Sequence, residues 1–325
     1  MGLRRSVYKS DRVVSLSGGT WRAAFPGGIP MLNKQLKADG LLVLYALIMG
    51  VTSLVLKIAT RQLPVFGFLS FRFGFAFLSC LLLFRKRSIQ ELSPRVIRHA
   101  VLVGLVTFGA HVGCTAGMAV TPVGIAGFLT SLQTIIIPII SFFVLKQSFD
   151  KRTLFCIFGT FVSVFLITAG NFTGYSAGIW LCIGSSVLAA GQILLIEWCV
   201  NAGDDVVALT VWQLGVMALC AWLCALCTGS VAVPENNVSW LCIGWTALVS
   251  TALATYIQTY AQQYTSSVHT GIIFSSIPIF TLIGSRIVFQ EHFGLRAAFG
   301  AVLLIGCIVC MELRPVGCRE KAKEV

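Results

Sequence analysis

The chain has 325 residues, and Arg72 is the first to need a chemical explanation. It sits in an apolar run, roughly 12 Å below one end of a helix rising about 1.5 Å per residue. A charge at such a depth in a membrane needs a partner and marks a site by default. A guanidinium meets a carboxylate in two parallel hydrogen bonds, so a substrate carboxylate is one partner. Local backbone carbonyls, or lipid headgroups reached by the long side chain, are the others. His111 lies roughly 10 Å into its own run by the same rise. It suits a proton relay or a ligand contact, or a neutral imidazole bonded to a neighbouring helix. Gln133, roughly 18 Å deep, either donates to a polar substrate or ties two helices together. Thr52, Ser53, Ser186 and Thr251 fall in the middle third of their runs, with Ser276 on the approach to Pro278. Pro138 and Pro278 each interrupt an apolar run, where a proline removes a hydrogen bond and makes a kink or hinge.

Reversible recognition of a small polar molecule is the chemistry these residues share. Bond-making chemistry has thinner support. The chain holds four histidines and neither an HExxH nor a GxSxG pattern. His111 and Cys114, one helical turn apart, are the conceivable thiol–imidazole pair. No catalytic residue, metal ligand or cofactor is assigned. No Walker motif is present, so ATP is not expected as the driver. No acid lies mid-run; Glu197, Glu291 and Glu312 are all at helix ends. The thiols Cys220, Cys224 and Cys227 lack a nearby His, Asp or Glu to complete a zinc site.

The elements that position these residues follow from composition. Hydrophobic residues make up 57% of the chain and charged ones 11%. A soluble domain carries about 25% charge, so this chain cannot cover itself with a polar surface. Ten apolar segments reach spanning length: 40–60, 65–84, 99–118, 121–145, 153–170, 177–198, 206–228, 239–260, 268–290 and 294–312. The expected fold is an all-α polytopic membrane protein of ten transmembrane helices. The net charge of +12 does not point to nucleic acid, because the basic residues form no face or stacking platform. The expected partners are the bilayer and a small-molecule substrate. With the N-terminus inside, nineteen Lys and Arg fall in cytoplasmic segments and four in external ones. That asymmetry predicts both termini in the cytoplasm; the expected location is the plasma (inner) membrane. Residues 1–37 form a cytoplasmic tail in which Met31 is a possible true start, and 313–325 form a second tail.

Two halves are visible, 38–170 and 176–312. Val144-Leu-Lys-Gln-Ser-Phe149 resembles Val288-Phe-Gln-Glu-His-Phe293, and each closes a long apolar run containing one proline. Five helices per half is odd, so the repeats are expected to be inverted in the bilayer. That is an architecture of secondary transporters, with the substrate at the repeat interface.

The stretch from Thr121 to Pro138 resembles the fourth helix of EamA-type proteins of the drug/metabolite transporter superfamily. Ile277-Pro278 followed by Glu291 is similar to that family's ninth-helix signature. This chain departs from the pattern at Gln147, where an acid is usual, and at Gln290, where Gly is usual. The resemblance implies a ten-helix fold, both termini cytoplasmic, and transport of small metabolites, often outward. Amino-acid-like or amphipathic compounds are the first substrate class. Phosphate esters and drugs are alternatives within the superfamily. A membrane-embedded enzyme and a non-transporting scaffold are the alternatives outside it.

Overall fold

The structure, a computed structural model, describes residues 28–312 apart from 146–154, 156–157, 160–161, 164–165, 167–175, 232, 266, 275 and 291–293. Among the described residues every regular element is a helix. The first half contributes α1 (Gly28–Thr60), α2 (Val65–Gln90), α3 (Pro94–Val120), α4 (Val123–Thr130) and α5 (Gln133–Leu145). The second contributes α6 (Ser176–Asn201), α7 (Val206–Cys227), α8 (Asn237–Ala261), α9 (Ser267–Phe274), α10 (Ile277–Phe289) and α11 (Leu295–Glu312). Six of these, α1 to α3 and α6 to α8, are long and apolar enough to cross a membrane. Most of the expected span 153–170 lies outside the described residues.

Local chemistry sets the boundaries. Ser93 accepts from the Val96 amide, with Pro94 in the first turn of α3, where its missing N–H is harmless. Asp205 accepts from the amides of Val207 and Ala208 to cap α7, and Asn236 accepts from Ser239 to cap α8. Phe84, the expected end of the second span, has non-helical angles; α2 kinks there and continues to Gln90.

The surface is inverted relative to that of a soluble protein. Leu82, Leu83, Trp180 and Leu241 are exposed, while Arg72, Gln213 and Thr251 are buried. At one end of the bundle the α2–α3 turn meets the α6–α7 turn. Arg87 pairs with Asp205 at 2.7 Å, and Asp204 takes both Arg95, at 3.2 Å, and His99. At the other end Lys57 Nζ donates to the carbonyls of Met118, Ala119 and Thr121 at 2.8, 3.2 and 2.9 Å. It thereby satisfies carbonyls that the end of α3 leaves open. The α3 and α6 helices run antiparallel, because His99 of α3 meets Asp204 while Gly117 of α3 meets Gly178.

Two expected continuous spans are broken. The 121–145 segment divides into α4 and α5, and 268–290 into α9 and α10. Both pairs have helices of 8 and 13 residues. Ser131, Leu132, Thr134 and Ile135 bond three residues back rather than four, tightening the chain into a 3₁₀-type turn. Ser276 and Ile279 do the same in the second pair. Ser131 Oγ and Ser276 Oγ each donate to the carbonyl three residues earlier, at 2.6 and 2.7 Å. The two broken helices lie side by side and antiparallel. Gly127 packs on Thr281, and Thr134 Oγ1 donates to the Gly271 carbonyl at 3.0 Å.

The prolines take different places at the two breaks. Pro138 is the sixth residue of α5, beyond the break. Pro278 sits in the first turn of α10, where a proline interrupts no helical bond. Nor are the two equivalent: at the 144-residue offset between Val123 and Ser267, Pro278 falls opposite Thr134.

Candidate functional site

Between the halves lies a cavity of about 120 Å³. Its wall takes Tyr45, Thr52 and Ser53 from α1, Arg72 from α2, His111 and Cys114 from α3, and Gln133 from the start of α5. The second half adds Ser185 and Gln192 from α6, Thr255 and Gln258 from α8, and Ile277 from the start of α10. Both helix breaks therefore open onto the cavity.

Arg72 is 1% exposed. Its Nε donates to Thr251 Oγ1 at 2.8 Å and its Nη2 to Ser250 Oγ at 3.3 Å. The guanidinium carbon lies 5.4 Å from the centroid of the Phe73 ring. Two adjacent hydroxyls reach one guanidinium because Trp245–Leu253 is π-helical. The wider turn brings consecutive side chains closer to one face. The Nη1 atom is buried with no protein partner. Neither backbone carbonyls nor headgroups satisfy Arg72; hydroxyls of the second half do. Because Nε and Nη2 are occupied, the paired-hydrogen-bond grip expected from the sequence is not free along that edge.

Five of the sequence-predicted residues meet at the cavity: Arg72, His111, Gln133, Thr52 and Ser53. Thr52 donates to the Ile48 carbonyl at 2.7 Å and accepts from Trp245 Nε1 at 3.2 Å. Ser53 donates to the Met49 carbonyl at 3.1 Å. The His111 ring meets Phe73 edge-on at 5.4 Å between centroids. The other three predicted residues do not line the cavity. Thr251 stands behind Arg72 and orients it. Ser186 Oγ lies 2.7 Å from the Leu129 carbonyl and 2.8 Å from that of Cys182, tying α6 to the end of α4. Ser276 closes the α9–α10 turn.

Tyr45 and Gln258 were missed. Tyr45 stacks on Phe274 at 4.2 Å, joining α1 to α9. Gln258 is 2% exposed, and its Nε2 has no partner. A glutamine two residues from the end of the 239–260 segment reads as a helix end; its spacing of seven, two helical turns, from Thr251 was the available signal.

A row of glycines holds the α3 side of the cavity in place. Gly109, Gly113 and Gly117 recur every four residues on α3 and face Leu188, Ser185 and Cys182 of α6. Small residues at that spacing let two helices approach closely in a membrane. Ser185 Oγ then reaches the Ala110 carbonyl at 2.8 Å. His111 and Cys114 lie within this stretch of α3.

The cavity offers a fixed cation and neutral donors and acceptors. His111 and Cys114 both line it, and among the described residues no carboxylate does. Such a set suits reversible binding of a polar molecule.

Known proteins match this chain along most of its length. An uncharacterized transporter of Archaeoglobus fulgidus is 28% identical over 282 residues, spanning 86% of this chain and 87% of its own. A solved crystal structure superposes with a TM-score of 0.65 at 15% identity, over 84% of this chain and 96% of its own, a likeness of fold. The profile of the EamA-like transporter family matches twice, over residues 36–169 and 176–313. This multi-pass membrane protein belongs to the EamA-like transporter family.

Proposed function

We propose that this protein is a secondary transporter that moves small amphipathic or amino-acid-like metabolites outward by alternating access around the central cavity. One observation carries the reading. Arg72, from the first half, is clasped in the cavity wall by Ser250 and Thr251, from the second half. A rearrangement of the halves acts directly on that clasp, so substrate contact and opening are coupled through one side chain. The antiparallel course of α3 and α6 and the matched breaks of 8 and 13 residues support a pair of inverted repeats. Discontinuous helices around a midplane site accompany such repeats. Both termini are assigned to the cytoplasm on the distribution of Lys and Arg.

Efflux from proteoliposomes loaded with pooled labelled amino acids and related metabolites tests the reading. Saturable, protein-dependent movement of one class supports it. Failure of every pool to move, with protein shown to be folded, would sink it.

A further inference from the structure

We infer that the cargo is a small organic anion with one carboxylate, a largely apolar body and no ammonium group, held by Arg72 Nη1 and Gln258 Nε2. The inference narrows the carrier reading above and rests on it.

Among the described residues several buried polar side-chain atoms have no protein partner, and two of them line the cavity: Arg72 Nη1 and Gln258 Nε2. Both are donors. A buried donor left unpaired costs about 1–3 kcal/mol, and more when charged. The same cavity therefore asks for an acceptor, and for one that is negative. The amides of Thr134, Ile135, Ile136, Ile279 and Phe280 are all bonded within the two turns.

Among the described residues no Asp or Glu lines the cavity, so an incoming anion finds Arg72 without a rival there. An ammonium group on the cargo would find no counter-charge. Of the rings beside it, Tyr45 is stacked on Phe274 and Phe73 lies against Arg72 itself, so neither forms an aromatic cage for a cation. A zwitterion would thus gain one ion pair while burying a second charge unpaired, the costly arrangement in a low-dielectric interior. A neutral amide would leave the guanidinium uncompensated. Beside its polar side chains the wall carries Met49, Leu56, Met118, Ala189 and Ile277, which give an apolar body its contacts.

Ligand-induced thermal shift and calorimetry on the purified full-length protein test this with two matched sets. The first is isocaproate, isocaproamide and leucine; the second is hydrocinnamate, hydrocinnamide and phenylalanine. At least one carboxylate should bind saturably and about tenfold or more tighter than its amide and its amino acid, as charge-assisted bonds exceed neutral ones. Arg72→Met should abolish the preference. Gln258→Leu, the milder change, should weaken the carboxylate about tenfold by loss of one hydrogen bond to a charged group. Equal or tighter binding of leucine, phenylalanine or an amide overturns the inference. So does binding of no probe by folded protein, or an unchanged Gln258→Leu variant. Flux separates the two readings. Saturable movement of an amino acid, with no carboxylate preference, sinks the anion inference and leaves the carrier. Carboxylate binding without protein-dependent flux does the reverse.

Discussion

Arg72 Nε donates to Thr251 Oγ1 across 2.8 Å, between residues 179 apart in the chain. The bond joins α2 to α8 and sets the direction of the guanidinium. Thr251→Val keeps the shape and removes the acceptor, leaving Nε buried and unpaired at about 1–3 kcal/mol. The variant should melt at a lower temperature in detergent and raise KM for flux, while Thr251→Ser restores both. A valine variant matching the wild type in both would show that the hydroxyl does not position Arg72.

Close approach of α3 and α6 makes a sharper test, because α6 carries its own control. A Cβ at Gly178 would lie 2.0 Å from Thr121 Oγ1, 2.7 Å from Val120 Cγ2 and 3.2 Å from the Gly117 carbonyl. A Cβ at Gly184 would meet nothing within 4 Å. Overpacking costs typically about 1–3 kcal/mol, whereas Gly→Ala at an open helical site gains up to about 1 kcal/mol. Gly178→Ala should lower the melting temperature and Gly184→Ala should hold or raise it. Equal effects would mean that the helices separate without penalty.

Much of this arrangement was legible in the residues. Arg72, His111 and Gln133 stood out because polar groups are rare in apolar runs, and all three reach the cavity. The breaks after Thr130 and Phe274 were not legible. Hydropathy stays high through both, and what changes there is the hydrogen-bond register, which composition does not report. The π-helical stretch that aims Ser250 and Thr251 together was hidden for the same reason. Depth alone places Thr251 with the recognition residues; in the structure its hydroxyl accepts from Arg72. Tyr45 and the α3 glycines were overlooked because each residue type is ordinary in an apolar helix; spacing and tertiary partner give them their roles. Gln147 and Glu291 lie outside the described residues.

At Gln290 the departure from the family pattern acquires a physical meaning. The residue ends α10 with φ 52° and ψ 31°, the left-handed region. Glycine adopts that conformation without the penalty of about 1–2 kcal/mol borne by a residue with a Cβ. Gln290→Gly should therefore stabilise the protein by up to about 1 kcal/mol after the greater chain entropy of glycine is subtracted. Thermal unfolding of the two proteins decides it. A clear loss of stability would mean that the Gln290 side chain makes a contact worth more than the strain.

Orientation in the bilayer can be decided at two exposed positions. Lys86 lies in the basic stretch of α2 beside the Arg87–Asp205 pair. Glu235 lies before α8, at the opposite end, where Gln62 meets Ser239 at 2.6 Å. Lys and Arg are retained on the cytoplasmic side during insertion, so the Lys86 end should face inward. In a cysteine-free background, Glu235→Cys should react with a membrane-impermeant maleimide on intact cells. Lys86→Cys should react only after permeabilisation. The opposite pattern would turn the molecule over, placing the N-terminal end of α1 outside and overruling nineteen basic residues against four. The cavity and its clasp would be unchanged by such a result, but the side of the membrane assigned to each end of the bundle would be reversed.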